Sequence, residues 1–139
     1  MKNPTTIKIA TEVSAPVHTV WDVWNTPEHI VNWSAASPDW HTTEAAIDLR
    51  EGGQFNSRME AKDGSTVFDF TGTFDRVKAH EHLAYTLADG RKVSVDFRAN
   101  GNTTTIEERF EAENINSREL QQQGWQAILD NFKKYTESL

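Results

Sequence analysis

The stretch LAYTLADGRKVSVDFRANGNTTTIEERF, residues 83–110, decides the fold. Apolar side chains recur at every second position in its first two segments, and Thr104, Ile106 and Phe110 keep the same spacing in the third. This is the period of a strand with one buried face. Asp89-Gly90 and Asn100-Gly101 separate the segments, and such dipeptides are typical of the tight turns of β-hairpins. The stretch therefore predicts three consecutive antiparallel strands.

Four segments upstream carry the same period-two pattern. They are residues 7–13, 47–49, 55–59 and 68–74, and Gly-Gly and Asp-Gly turns separate the last three. Gly72 lies inside the fourth segment, where a glycine marks a bulge, a sharp bend or the close approach of another element. Together with residues 83–110, these segments predict a curved antiparallel sheet of about six or seven strands.

Two short helices are predicted after the first strand. Ser14 is a suitable N-cap for apolar residues at helical spacing that end at Trp24. Thr26 followed by Pro27 repeats the start signal, and the apolar spacing ends near Trp33. Both helices precede the main run of strands.

A long helix is predicted at the C-terminal end of the sequence. Asn116, followed three residues later by Glu119, resembles a capping arrangement. Gly124 interrupts good helix formers and costs about 1 kcal/mol relative to Ala, so it indicates close packing on the sheet or room for a cavity. Close packing is the expectation. The apolar stripe that must face the sheet consists of Trp125, Ile128, Leu129, Phe132 and Leu139.

Length and composition limit the possible functions. The 139 residues, 37% of them hydrophobic, suit a single domain over 1–139. A formal charge of −7 without a basic stripe argues against a nucleic-acid partner. The sequence has no run of about 18 apolar residues and no secretory signal, so we expect no membrane insertion and a cytoplasmic location. The absence of cysteine excludes thiol chemistry.

One pair of residues suggests acid–base chemistry. Asp39 and His41 flank Trp40, and a carboxylate beside an imidazole can orient a general base. No nucleophile accompanies them, so we interpret the pair as an exposed loop and find no complete catalytic constellation. His18 and His29 are interpreted as solvated residues on helix surfaces.

A metal or cofactor site receives little support. On a strand, His80 and His82 would project to one side, but no third ligand stands at a recognisable spacing and we interpret His80-Glu81-His82 as a solvated turn. Asp48, Arg50 and Glu51 precede a Gly-Gly turn that matches neither nucleotide-binding fingerprint. We therefore predict no metal and no cofactor, and we assign these charged residues a structural role.

The order of elements and a set of short motifs resemble the activator of heat-shock protein 90 ATPase homologue-like family, which belongs to the START and birch-pollen-allergen superfamily. The resemblance covers nearly the whole chain. The motifs that carry it are Ala15-Pro16 before Val20-Trp21, Thr26-Pro27-Glu28-His29 up to Trp33, Asp48-Leu49-Arg50-Glu51-Gly52-Gly53-Gln54-Phe55, Asp63-Gly64, Gly72, His82-Leu83-Ala84-Tyr85-Thr86 and Gly124-Trp125.

The resemblance implies an α+β helix-grip fold with a cavity between the long helix and the sheet. The function it implies is binding of a hydrophobic or aromatic small molecule there. The alternatives are a chaperone-binding interaction module and a cyclase- or hydrolase-like enzyme. The side chains predicted to line the cavity are Trp33, Phe55, Met59, Phe68, Phe70, Tyr85, Val95, Trp125, Leu129 and Phe132.

Overall fold

The computed structural model describes residues 5–139, which form seven strands and three helices. The strands are β1 (Thr6–Val13), β2 (Trp40–Ile47), β3 (Gln54–Ala61), β4 (Val67–Lys78), β5 (His82–Leu87), β6 (Lys92–Asn100) and β7 (Thr103–Glu111). The helices are α1 (Val17–Asn25), α2 (Pro27–Trp33) and α3 (Arg118–Glu137). The α+β helix-grip prediction is confirmed.

The strands form one antiparallel sheet in the order β1-β7-β6-β5-β4-β3-β2. The first strand pairs with the last, with Thr6 opposite Glu111. Irregular pairing between Thr42 and Glu44 in β2 and between Phe74 and Arg76 in β4 bends the sheet, as β-bulges do. The sheet therefore curls into a half-barrel that holds α3 on its concave side.

Strict alternation directs one face of β7 inward. Thr104, Ile106, Glu108 and Phe110 are buried, while the residues between them are partly exposed. Successive side chains of a strand point to opposite faces, so these four residues share the concave face. One of them is a carboxylic acid.

The filled part of the core lies where α1, α2 and the C-terminal half of α3 meet the sheet. Phe132 is fully buried, and its ring centroid lies 4.9 Å from those of Trp24 and Trp33. The Trp21 and Phe97 rings meet edge to face at 5.3 Å. Such aromatic pairs contribute about 0.5–1.5 kcal/mol beyond the burial of their area.

Three details at the helix ends differ from the predictions. Ser117, not Asn116, caps α3, and its Oγ accepts the backbone N–H of Leu120 at 3.1 Å. Asn116 instead donates its side-chain amide to Glu113 at 2.7 Å. Ser14 does not cap α1 through its side chain. Leu139 follows the end of α3 and is 64% exposed, so it is not part of the buried stripe.

Candidate ligand-binding cavity

A cavity of about 440 Å³ lies between the concave face of the sheet, α2 and the N-terminal half of α3. Its walls are mainly apolar. The principal apolar residues around it are Trp24, Ile30, Trp33, Trp40, Ile47, Phe55, Met59, Phe68, Phe70, Phe74, Leu83, Trp125, Ile128 and Leu129.

Eight of the ten predicted cavity residues lie in this wall. They are Trp33, Phe55, Met59, Phe68, Phe70, Tyr85, Trp125 and Leu129. Val95 and Phe132 do not line the cavity and are fully buried in the hydrophobic core. Whether the eight side chains contact a ligand stays a prediction.

An aromatic cluster around Phe55 forms the wall on the sheet side. The Phe55 ring lies 4.9 Å from Tyr85 and 5.3 Å from Phe74, measured between centroids. A Cβ atom at Gly72 would come within 2.6 Å of the Phe55 ring and 2.9 Å of a backbone carbonyl oxygen of Thr86. Gly72 therefore makes room for the ring, which identifies close approach as the reason for this glycine.

Trp125 joins the helix to the sheet at the opposite wall. Its ring is stacked on that of Phe110, with centroids 4.0 Å apart and an angle of 8° between the planes. The Phe70 ring meets it edge to face at 6.0 Å. These two contacts of Trp125 fix the distance between α3 and the sheet beside the cavity.

Gly124 lies over the cavity, and the expectation of close packing at this position is wrong. A Cβ atom there would have no heavy atom within 4 Å outside its own local helix backbone. Gly124 also lines the cavity. The absence of a side chain at this turn of the helix thus adds volume beneath the helix rather than allowing a tight contact.

Two exposed side chains mark the rim. Phe68 in β4 is 45% exposed and Leu120 in α3 is 56% exposed, although both line the cavity. The Trp40 ring packs edge to face on Phe68 at 5.8 Å. An apolar molecule could therefore contact apolar side chains before it reaches the interior.

Glu108 and Tyr85 bring polar atoms into this apolar wall, and the sequence reasoning did not single out Glu108. The two side chains line the cavity and their residues are 6% and 7% exposed. Burial raises the pKa of Glu108 to about 8. Burial, with a smaller effect of the Glu108 charge, holds the pKa of Tyr85 well above its usual value. Both groups are therefore mainly uncharged at pH 7.

The other charged residues of the cavity wall already have partners. Arg91 pairs with Asp89 at 2.8 Å, and the Glu113 carboxylate accepts both N–H groups of Asn116. The Gln121 side chain, which also lines the cavity, is held by three backbone carbonyls and one backbone N–H. These contacts fix polar residues at the edge of the cavity.

The remaining candidates from the sequence lie outside the cavity wall. Asp39 is exposed in a turn, but β2 already begins at Trp40, so His41 lies in a strand and not in a loop. His41 is exposed. His29 is not simply solvated, because its Nδ1 lies 2.7 Å from the Tyr135 hydroxyl.

The other charged candidates form local contacts. His82 lies in β5 and its Nδ1 is 2.8 Å from the Asp96 carboxylate. Arg50 and Asp48 form a largely exposed ion pair at 2.8 Å. Over residues 5–139, no group of three or more His, Cys, Asp or Glu side chains could hold a metal ion. No helix in the same range is long and apolar enough to cross a membrane.

Comparisons with known proteins agree with this architecture. The family model described as Activator of Hsp90 ATPase homolog 1-like protein matches residues 14–137. The comparison with curated proteins gives no match.

Solved structures include two similar proteins of high identity. The AHSA1-like protein from Aeromonas hydrophila is 48% identical, over 95% of this chain and 93% of that one, with a TM-score of 0.87. Chr148 from Cytophaga hutchinsonii is 50% identical, over 96% and 92% of the two chains, with a TM-score of 0.83. NE0264 from Nitrosomonas europaea shares the fold at 18% identity, over 99% and 97%, with a TM-score of 0.83. The chain therefore belongs to the Activator of Hsp90 ATPase homolog 1-like protein family.

Proposed function

We propose that this domain binds a hydrophobic or aromatic small molecule in the cavity between the curved sheet and α3. The observation that supports it is the cavity of about 440 Å³ with mainly apolar walls. Protein interiors pack to a density of about 0.75 and contain few voids larger than a water molecule. An unfilled space of this size is therefore a feature that a binding function explains.

The size of the cavity favours a ligand of two or three rings. An apolar cavity of about 150 Å³ is large enough to bind benzene. The present cavity has roughly three times that volume. Small-molecule sites commonly occupy about 300–1,000 Å³, so the value lies within the usual range.

The character of the walls favours a flat aromatic ligand. Phe55, Phe70 and Trp125 present ring faces and edges to the same space. Aromatic rings prefer offset-stacked or edge-to-face contacts, which this arrangement offers to a further ring. Phe68 and Leu120 at the rim give such a molecule an apolar path of entry. The chaperone-binding and the cyclase- or hydrolase-like alternatives stay predictions.

The test is a titration with N-phenyl-1-naphthylamine, an uncharged fluorescent aromatic probe. We expect saturable binding to the wild-type protein, with quenching of tryptophan emission because Trp33 and Trp125 line the cavity. Gly124→Leu places a side chain into the open space and should weaken binding by about tenfold or more, a loss of about 1.4 kcal/mol.

Gln122→Leu is the matched control, because it adds the same side chain to an exposed position of the same helix. Its affinity for the probe should equal that of the wild type. Absence of saturable binding to the folded wild-type protein would contradict the proposal. Equal weakening by both variants would place the bound probe outside the cavity.

A further inference from the structure

Glu108 and Tyr85 are two buried polar side chains of the cavity wall that form no hydrogen bond within residues 5–139. Neither the Glu108 carboxyl nor the Tyr85 hydroxyl takes part in a hydrogen bond or ion pair with another group of residues 5–139. Both residues are more than nine-tenths buried. Their polar atoms therefore face the space that the proposed ligand would occupy.

Buried polar groups are almost always hydrogen-bonded in folded proteins, because leaving them unpaired loses the bonds they made with water. A replacement of Glu108 by an aliphatic residue would complete the apolar wall. A carboxylic acid at this position is instead explained if a polar atom of the ligand forms a hydrogen bond with it.

The topology brings the two groups to one part of the concave face. Glu108 in β7 is opposite Val95 in β6, and Val95 is opposite Leu83 in β5, two residues before Tyr85. Two strand spacings amount to about 10 Å across the sheet, and the two-residue offset adds about 7 Å along it, so the Cα atoms would lie about 12 Å apart in a flat sheet. Both side chains are long and rise from a concave surface, which brings their ends closer together. They are close enough for the Glu108 charge to raise the pKa of Tyr85.

The hydrogen-bond donors at this site determine which ligand group can bind there. Both groups carry a proton when uncharged and can donate it, and an uncharged carboxylic acid in an apolar site can share one ligand oxygen with a tyrosine. Arg91 and Glu113, the other charged groups of the wall, are held by Asp89 and Asn116. The described cavity wall therefore offers no unpaired cationic side chain to a ligand carboxylate.

We propose that Glu108 and Tyr85 form a two-donor site for the carbonyl oxygen of an uncharged aromatic ligand. The proposal rests on the proposed binding function and names the ligand class for the same cavity. The aromatic cluster around Phe55 holds the ring system, and the two donors orient the carbonyl group toward β7.

The test compares 2-acetylnaphthalene with 2-isopropenylnaphthalene, which replaces the carbonyl oxygen by a CH₂ group of similar shape. Affinities are measured by displacement of N-phenyl-1-naphthylamine, with the affinity of the probe determined at each pH. At pH 6.5 the wild-type protein should bind the ketone about tenfold more tightly than the alkene, as expected for the added hydrogen bonds. Tyr85→Phe should reduce this preference.

The pH dependence separates the carboxylic acid from the other groups. At pH 9.5 the Glu108 carboxylate no longer donates a proton, so the ketone preference should fall to about threefold or less. Glu108→Gln keeps a donor that does not titrate and should preserve the preference at both pH values. Glu108→Leu leaves only the Tyr85 donor and should reduce the preference to about threefold or less at both pH values. Circular dichroism checks that each variant is folded.

The possible outcomes distinguish this inference from the function on which it rests. Equal affinity for the ketone and the alkene at pH 6.5 overturns the two-donor site and leaves the binding cavity in place. Failure of every probe to bind overturns both. Tighter binding of 1-(2-naphthyl)ethylamine, with a preference that Glu108→Gln removes, would replace the carbonyl by a cationic partner and overturn the inference as stated.

Discussion

The two halves of α3 carry one apolar stripe but have different surroundings. In the C-terminal half, Leu129 and Phe132 are almost completely buried against the core. In the N-terminal half, Gly124 faces open space and Leu120 is largely exposed at the rim. A helical stripe thus indicates which way side chains point, but the element opposite decides whether they fill a core or cover a cavity.

The opposing elements explain the difference. Trp24 of α1 and Trp33 of α2 meet Phe132 and fill the space beneath the C-terminal half. Beneath the N-terminal half, side chains of the strands and of α2 surround an open cavity, and the helix itself has a glycine there. We expect the two halves to respond differently to the loss or gain of side-chain volume.

The largest expected effect on stability comes from removing a side chain beneath the C-terminal half of α3, where the core is filled. We call this region the filled half, and the region around the cavity the open half. Phe132→Ala should lower the free energy of unfolding by about 3–5 kcal/mol, because a fully buried ring leaves a cavity that the surroundings cannot close. Phe68→Ala in the open half should cost about 1 kcal/mol or less, because that ring is already 45% exposed. Urea denaturation monitored by circular dichroism measures both.

If Phe132→Ala and Phe68→Ala lower the free energy of unfolding by similar amounts, the open half is packed as tightly as the filled half. The two variants remove the same atoms, so the difference between them reports only the surroundings. A loss from Phe132→Ala below about 1 kcal/mol would equally contradict the distinction between the halves.

A second effect concerns Glu108 in the concave wall. Its pKa rises from an ordinary value of 4.5 to about 8 in the folded protein because the carboxyl is buried. The folded state therefore binds more protons than the unfolded state between these two values, and stability must fall as the pH rises through this window. Below pH 4.5 the group is protonated in both states and imposes no such penalty.

Denaturation at two pH values measures this effect, with Glu108→Gln as the reference. Between pH 5.5 and 8.5 the wild-type protein should lose about 3 kcal/mol relative to the variant, since each pH unit inside the window costs about 1.4 kcal/mol. Identical pH profiles for the two proteins would show that Glu108 is hydrated in the cavity and titrates normally.

The smallest effect should be a gain from Gly124→Ala. The added methyl group meets open space, so it removes the conformational cost of glycine without a clash and should stabilise the protein by up to about 1 kcal/mol. Thermal or urea unfolding provides the measurement. A loss of stability would indicate that α3 lies closer to the sheet than the structure has it.

The sequence contains most of the information about the strands because period two is a strong signal. Residues 83–110 form β5, β6 and most of β7, as their alternation predicts. The same alternation applied to Thr104, Ile106 and Phe110 also selects Glu108, which the prediction passed over as a charged residue. A charged side chain at an inward position of an otherwise apolar strand face is the signal that could have identified it.

The border between core and cavity could not be predicted in this way. Val95 and Phe132 have the correct periodicity for inward-facing residues, yet they lie in the filled core. Their surroundings depend on how far the sheet curls and where α1 and α2 pack, which are long-range features. Gly124 poses the same difficulty, because a helical glycine can serve either a close contact or an empty space.

The pairing of β1 with β7 has a consequence for the order in which the chain can fold. Thr6 and Glu111 face each other across the sheet, so about one hundred residues separate the partners. At a synthesis rate of about 5–20 residues per second, β1 leaves the ribosome roughly 5–20 seconds before the strand it pairs with. The hairpins from β2 to β7 can form in succession, and closing the sheet with β1 is the step that long-range contact order makes slow.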